Sequence, residues 1–167
     1  MNKLWIRLTL AFGLVAVVAV MMLSLAGYGI DTVFGIPGNH TVQLYRGLAA
    51  SSLRHISPRH EQGAAFMAEV YGRLTGNPAG CLGTLGPGAT NLLNGLWDAR
   101  MDRVPILALT GQVDTQVLGP GAFQEIDLAS AFEAVTAFSQ TVLPGSRHAE
   151  LMSLALSRLE KKIGGTS

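Results

Sequence analysis

The sequence is short of charge, of cysteine and of aromatic residues, and each shortage removes a class of function. Only 14% of the 167 residues are charged, and the net charge is +1. That balance offers no basic field to a nucleic acid or an acidic surface. With 49% hydrophobic residues, the chain is no disordered polymer either. A single cysteine, Cys81, excludes an internal disulfide and a cysteine-rich metal site. It stands in an apolar run beside Leu82, where a small buried hydrophobe is the natural reading. His40, His55 and His148 have no metal-ligand spacing, and His60-Glu61 lacks the second histidine of a zinc-protease helix. No repeat and no low-complexity stretch is present.

The front of the chain is, by contrast, rich in hydrophobic residues. Residues 8–30 carry no charge and come after Lys3 and Arg7. The stretch Leu14 to Leu23 is apolar on all sides, and the run is long enough to cross a bilayer as a helix. Ser24-Leu25-Ala26 makes a weak signal cleavage site, and a buried first helix is the third reading. The expectation is an anchor-like or signal-like segment over 1–22, with membrane contact open to residues 8–27. A spanning helix preceded by Lys3 and Arg7 would export the domain behind it.

From Asp31 onward short apolar runs alternate with helical patterns. Strands are expected at 32–36, 53–56, 80–85, 105–110 and 138–143. Helices are expected from Thr41 to Ala50, from Glu61 to about Thr75, after Asn91 and after Ser146. The last two carry Leu92, Leu93, Leu96, Trp97 and Met101, then Met152, Leu156, Leu159 and Ile163, as their buried sides. Ser146 is the expected N-cap of the last helix. Strands alternating with helices imply an α/β fold, a doubly wound parallel sheet of five or six strands with helices on both faces, behind an N-terminal hydrophobic helix. A long loop rich in Gly and Pro, from Gln112 to about Glu125, comes after the fourth strand.

In such a sheet, ligands lie beyond the carboxyl ends of the strands. The unusual residues gather in the loops that start there. Gly35-Ile36-Pro37-Gly38 forces a turn. Pro58 keeps Ser57 out of the helical region, so Glu61 falls where an extended segment becomes a helix. By itself Glu61 is as well read as a first-turn carboxylate favoured by the helix dipole. Gly63, Ala64, Ala65, Ala68 and Gly72 give its helix a side small enough for a partner helix or a flat ligand to approach. Gly86-Pro87-Gly88-Ala89-Thr90-Asn91 is a glycine-rich turn at a helix start, but neither a Walker A loop nor GxGxxG.

Taken in order, Phe34-Gly35-Ile36-Pro37-Gly38, Arg59-His60-Glu61-Gln62-Gly63-Ala64, Gly86 to Asn91 and Ala122-Phe123-Gln124-Glu125 resemble thiamine-diphosphate-dependent enzymes. The likeness is to their N-terminal pyrimidine-binding domain, in the group of acetolactate synthase, pyruvate oxidase and related 2-oxo acid decarboxylases. It covers about residues 23–158, with 159–167 as an off-pattern tail. By this resemblance Glu61 is the catalytic glutamate that contacts N1′ of the cofactor's aminopyrimidine ring. A carboxyl set among Ala and Gly would have its proton-bound form favoured for that task. Gly35, Pro37 and Gly38 match the turn lining the pyrimidine pocket. Pro87, Gly88 and Asn91 match the loop and helix facing the cofactor, and Gln124 matches a glutamine on the substrate side.

The resemblance also implies what is missing. Its members hold Mg²⁺ and the diphosphate through a Gly-Asp-Gly motif in another domain, and no Gly-Asp-Gly occurs here. The expectation is half a site, in a truncated or fused reading frame. Catalysis would need a diphosphate-binding partner domain, in a homodimer or in another chain, and a 2-oxo acid as substrate. By resemblance the domain is cytoplasmic. The alternative is a membrane-tethered, non-catalytic remnant that pairs with its own kind.

Overall fold

The computed structural model describes residues 21–22 and 24–163, with side chains as far as 159. Helical residues 21–22 and 24–27 (α1) lead through a turn at Tyr28-Gly29 into the first strand. The further elements are β1 (Thr32–Gly35), α2 (Val42–Ala49), β2 (Arg54–Ile56), α3 (Glu61–Thr75), β3 (Ala79–Gly83), α4 (Pro87–Thr90), α5 (Leu93–Met101), β4 (Ile106–Thr110), α6 (Leu128–Glu133) and α7 (His148–Ile163). A single turn of 3₁₀ helix at Asn39–Thr41 precedes α2.

All strand pairs are parallel and stand in the order β2-β1-β3-β4. Phe34 lies opposite Cys81, and Cys81 opposite Ala108. Every residue of β1 and β3 is buried, which is why these central strands read as apolar runs without alternation. From β1 the chain crosses to β2 on one side, and later returns to β3 on the other. The strand order therefore reverses between β1 and β3, the place where open α/β sheets bind ligands.

Alternate residues along the strands feed two cores. On one face Phe34 and Cys81 meet Ala64, Ala65 and Ala68 of α3 and Leu92 and Leu96. On the other, Val33 and Leu82 meet Leu48, Leu107, Met152 and Leu156 together with Met22, Leu25 and Ile30. Met22 and Leu25 are each 1% exposed, so the described end of the apolar run is part of this core. Among the described residues no helix is long and apolar enough to cross a membrane. The expected N-terminal hydrophobic helix and the membrane segment at 8–27 otherwise fall on residues 1–20, outside the described part.

Helix α3 is set by its two ends. His60 has extended backbone, and its Nδ1 accepts from the Gln62 N–H at 3.2 Å, an N-cap. Gly76 closes the helix at φ 74°, in the left-handed conformation. Between them the small side chains let α5 come close. A Cβ on Gly95 would lie 2.6 Å from that of Ala65 and 2.8 Å from the Phe66 nitrogen. The small-residue side of α3 is therefore spent on α5 and the sheet of its own chain, and not on another subunit.

Four expectations change. The sheet has four strands among the described residues, not five or six. Residues 138–143 join no ladder, and Val142 and Leu143 remain 47% and 43% exposed where a strand would bury one side. Trp97 and Met101 point outward, 51% and 67% exposed, because Gly95, Leu96 and Ala99 already fill the inner side of α5. Ser146 does not cap α7, which begins at His148; its hydroxyl instead accepts from the Leu143 N–H in a turn. Helix α6, capped by Asp127 on the Ser130 N–H, is an addition to the expected elements.

The far end of α3 is tied to the sheet by Asp31. Its Oδ1 accepts from the Tyr71 hydroxyl at 2.7 Å and from the Thr32 hydroxyl at 2.8 Å. These bonds, with Arg54 nearby, hold the carboxyl below its ordinary 3.8. A depressed folded value means stability that is present above about pH 4 and is lost as pH falls through the folded pKa. Asp31→Asn should lower the melting temperature at pH 7 and flatten the loss of stability below pH 4, measured by thermal melts across pH. A variant with the wild-type acid profile would refute this.

Candidate functional site

The β1–β3 reversal brings two turns and a helix start together. β1 ends at Gly35 and turns through Pro37 and Gly38. β3 ends at Gly83, and Thr84 leads into the Gly86-Pro87-Gly88 turn that opens α4. Pro87 occupies the first turn of α4, where a missing N–H costs nothing.

Contacts here leave no room for side chains at the glycines. A Cβ on Gly38 would stand 2.5 Å from the Thr84 hydroxyl oxygen. On Gly88 it would collide with the Thr84 methyl and lie 3.2 Å from Oε1 of Glu61. Gly38, Thr84, Gly88 and Glu61 thus stand in a row across the carboxyl edge of the sheet. Asn91 completes the line: its Nδ2 donates to Oε2 of Glu61 at 3.0 Å. Glu61 is partly buried at the N-terminus of α3, where the helix end favours negative charge.

A second group of contacts surrounds Gly35. Its Cβ would lie 2.6 Å from the Cβ of Leu82 and 2.9 Å from the Tyr45 hydroxyl. The Tyr45 ring meets His55 edge-on at 5.0 Å, and His55 Nε2 hydrogen-bonds the Gly35 carbonyl at 3.0 Å. Burial first, and then the charge of Glu61, push the Tyr45 phenol up from its ordinary value. His55 is thus an ordinary hydrogen-bonding residue. His40 packs its Cβ and backbone against Gly111.

Gln124 lies apart from Glu61 but against the same glycine turn. Gly86 adopts φ 53° and ψ −119°, and a Cβ there would come within 2.5 Å of the Gln124 carbonyl oxygen. Gln124 itself has φ 63°, a conformation that costs a side-chain-bearing residue about 1 kcal/mol or more. The loop is held in that shape by Glu125, whose carboxylate accepts from the N–H groups of Gly119, Gly121 and Ala122. Pro37 and Pro87 are exposed at the rim. A separate hollow of about 320 Å³ between Ala129, Glu133 and Ser139 involves none of these residues.

The family described as "Thiamine pyrophosphate enzyme, N-terminal TPP binding domain" matches residues 15–131. The chain belongs to that family. It is 42% identical over 125 residues to the chloroplastic acetolactate synthase of Arabidopsis thaliana, covering 74% of this chain and 19% of that protein. Against the acetolactate synthase isozyme 2 large subunit of Escherichia coli the figures are 45% over 116 residues, 70% of this chain and 21% of that one. A probable 2-ketoarginine decarboxylase of Pseudomonas aeruginosa is 43% identical over 134 residues, 78% of this chain and 24% of that protein. The chain thus spans about a fifth to a quarter of the length of these relatives.

Two residues of the site are hard to find from sequence. Thr84 lies in an apolar run and reads as strand, although its place two residues before Gly-Pro-Gly marks a carboxyl-edge side chain. Tyr45 falls among the apolar residues of α2 by spacing. Its phenol is visible in the sequence, but only the fold turns it toward Gly35.

The Gly86 conformation is nearly restricted to glycine. Gly86→Ala should therefore destabilise the chain by about 1–3 kcal/mol and displace the Gln124 loop. Urea unfolding reads the first effect and amide exchange at 119–125 the second. Wild-type values in both would show that the turn is not constrained as described.

Proposed function

We propose that the chain binds thiamine diphosphate by its aminopyrimidine half, as the first domain of an acetolactate synthase-like, 2-oxo acid-converting activity. The observation that carries the reading is the Asn91–Glu61 hydrogen bond beside Gly88, set at the topological reversal of the sheet. Family membership supplies the cofactor class.

The residues present fit a flat heterocycle. Gly88 and Gly38 let the two turns close onto the Thr84 side chain, which keeps the edge beside Glu61 low, and Pro37 stiffens the first of these turns. Asn91 spends its amide on one oxygen of Glu61, which fixes the carboxyl plane and leaves the other oxygen beside Gly88 for a ring nitrogen. Bound there, the cofactor would supply the electron sink for decarboxylation of a 2-oxo acid. The role of Glu61 is to meet the ring nitrogen and exchange a proton with it. Gln124, held by the Glu125 knot, faces the substrate side. The diphosphate and its Mg²⁺ fall to a partner domain, since no Gly-Asp-Gly occurs here. A chain working with that partner and its cofactor pool belongs in the cytoplasm.

The partner has a surface to meet. Met67, Val70 and Leu74 form a 3–4 spaced stripe on the outward side of α3, and Trp97 and Met101 continue it on α5. Their exposures, from 43% to 81%, amount to roughly 500 Å² of apolar surface against about 800 Å² per side in an ordinary interface. We assign this face to a second subunit, in a homodimer.

Binding is tested by calorimetry with thiamine diphosphate and Mg²⁺, using the full chain mixed with the diphosphate-binding domain of an acetolactate synthase. The mixture should bind, and Glu61→Gln should weaken binding at least about tenfold, the value of a lost charge-assisted contact. Undiminished binding by Glu61→Gln, or none by the wild type, would sink the reading. For the interface, Leu74→Arg combined with Trp97→Arg should leave the chain monomeric by light scattering at concentrations where the wild type is dimeric. A monomeric wild type would remove the assignment.

A further inference from the structure

Thr84 stands between the two turns of the candidate site and touches each with a different atom. A Cβ on Gly38 would lie 2.5 Å from its hydroxyl oxygen and 2.7 Å from its Cβ. A Cβ on Gly88 would instead collide with its methyl group. The hydroxyl thus abuts the turn after β1, and the methyl abuts the turn that opens α4. A β-branched side chain suits this place, because both of its arms are fixed by a single stiff torsion.

The contact with Gly88 reaches Glu61 through α4. Gly88 is the second residue of that short helix, and the Asn91 N–H donates to the Pro87 carbonyl at 3.0 Å, closing the same turn. Gly83 backs the turn from the sheet, where a Cβ would lie 2.7 Å from the Gly88 carbonyl oxygen. Both oxygens of the Glu61 carboxylate face this closed unit. A Cβ on Gly88 would stand 3.2 Å from Oε1, and Oε2 accepts from Asn91 Nδ2 at 3.0 Å.

We propose that Thr84 is a positioning residue for Glu61. Its methyl seats α4 at the sheet edge, and through Gly88 and Asn91 this sets the orientation of the Glu61 carboxylate. Its hydroxyl holds the Gly38 turn on the other side, so that one side chain is the spacer between the two turns. The proposal rests on the heterocycle site for its purpose, but the Thr84–Gly88 contact and the Asn91–Glu61 bond exist in the free chain and are tested there.

The first test is a double-mutant cycle in urea unfolding of the full chain. Gly88→Ala should lower the folding constant about fivefold or more, the ordinary cost of one carbon too many. In a Thr84→Ser background, where the opposing methyl is gone, the same change should cost about twofold or less. Gly38→Ala should stay as costly in both backgrounds, because it meets the hydroxyl and the Cβ that serine keeps. Equal costs of Gly88→Ala in the two backgrounds would overturn the spacer. The second test reads the side-chain amide resonance of Asn91 in the full chain, with Glu61→Ala as the unbonded reference. Thr84→Ser should move the signal toward that reference, and Thr84→Val, which keeps both arms, should return it most of the way. An unmoved signal in Thr84→Ser limits the residue to packing and refutes the positioning role. The third is the calorimetric mixture with thiamine diphosphate and Mg²⁺. Thr84→Ser should bind about three- to tenfold more weakly than wild type, and Thr84→Val should regain most of that loss. Wild-type affinity in Thr84→Ser, with Glu61→Gln still weakened, also refutes the positioning role and leaves the site intact. A shifted Asn91 signal with no binding by any chain, wild type included, refutes the heterocycle reading and keeps Thr84 as the residue that orients Glu61.

Discussion

The structure depends on how closely α3 can lie against α5 and the sheet. Ala65 against Gly95 and Gly72 against Val104 are contacts in which one more carbon has no place. Ala64, Ala65 and Ala68 are fully buried. A helix seated this low brings its first residue down to the carboxyl edge of β1 and β3, within reach of Asn91 between α4 and α5. With larger side chains along α3, Glu61 would ride higher and miss both Asn91 and Gly88. The same alanines that look like featureless helix in the sequence therefore set the height of the one carboxylate in the site. The Asp31–Tyr71 bond at the other end of the helix fixes its tilt.

The sheet order adds the second constraint. Because β2 and β3 flank β1, the turn after β1 and the turn after β3 face each other across the edge of the sheet. Both consist largely of glycine and proline, so the surface they present to a ligand is backbone. Few side chains stand at or behind this edge: Glu61, Asn91, Thr84 and Tyr45. Three contacts brace them from behind, Asn91 on Glu61, His55 on Tyr45, and the Gly35 carbonyl on His55. The Gln124 loop is built differently. It rests on a strained backbone and the Glu125 knot and borders the turn at Gly86.

Much of this was legible in the sequence, for physical reasons that can be named. β1 and β3 are buried on both faces and so appear as unbroken apolar runs. Pro58 marks the start of α3. The Gly86–Asn91 stretch shows itself as a tight turn at a helix start by its composition. The features that were not legible depended on tertiary direction. The period of α5 contains more apolar residues than its inner side can hold, and only the approach of Ala65 decides that Gly95 goes inward and Trp97 outward. Residues 138–143 have the composition of a strand but join no neighbour's backbone. Met22 and Leu25 belong to a run that looks like lipid-facing helix, because burial by protein and burial by lipid select the same side chains.

That ambiguity bears on the outward side of α3. A helix that is apolar on both its sides is normally covered on both. Its inner side is satisfied by α5 and β3 within the chain. Its outer side carries Met67, Val70 and Leu74 into solvent, in the turns that lead away from Glu61. The polar residues that solvent would favour are displaced to the flanks, where Arg73 pairs with the buried Glu69 and with Asp102 at 3.1 and 2.8 Å. The buried charge of Glu69 is thus met by Arg73, which stays more than half exposed beside the stripe. In the proposed dimer, a subunit seated on that stripe would rest on the same helix that carries Glu61 at its start, so that one element would serve both the contact and the candidate site.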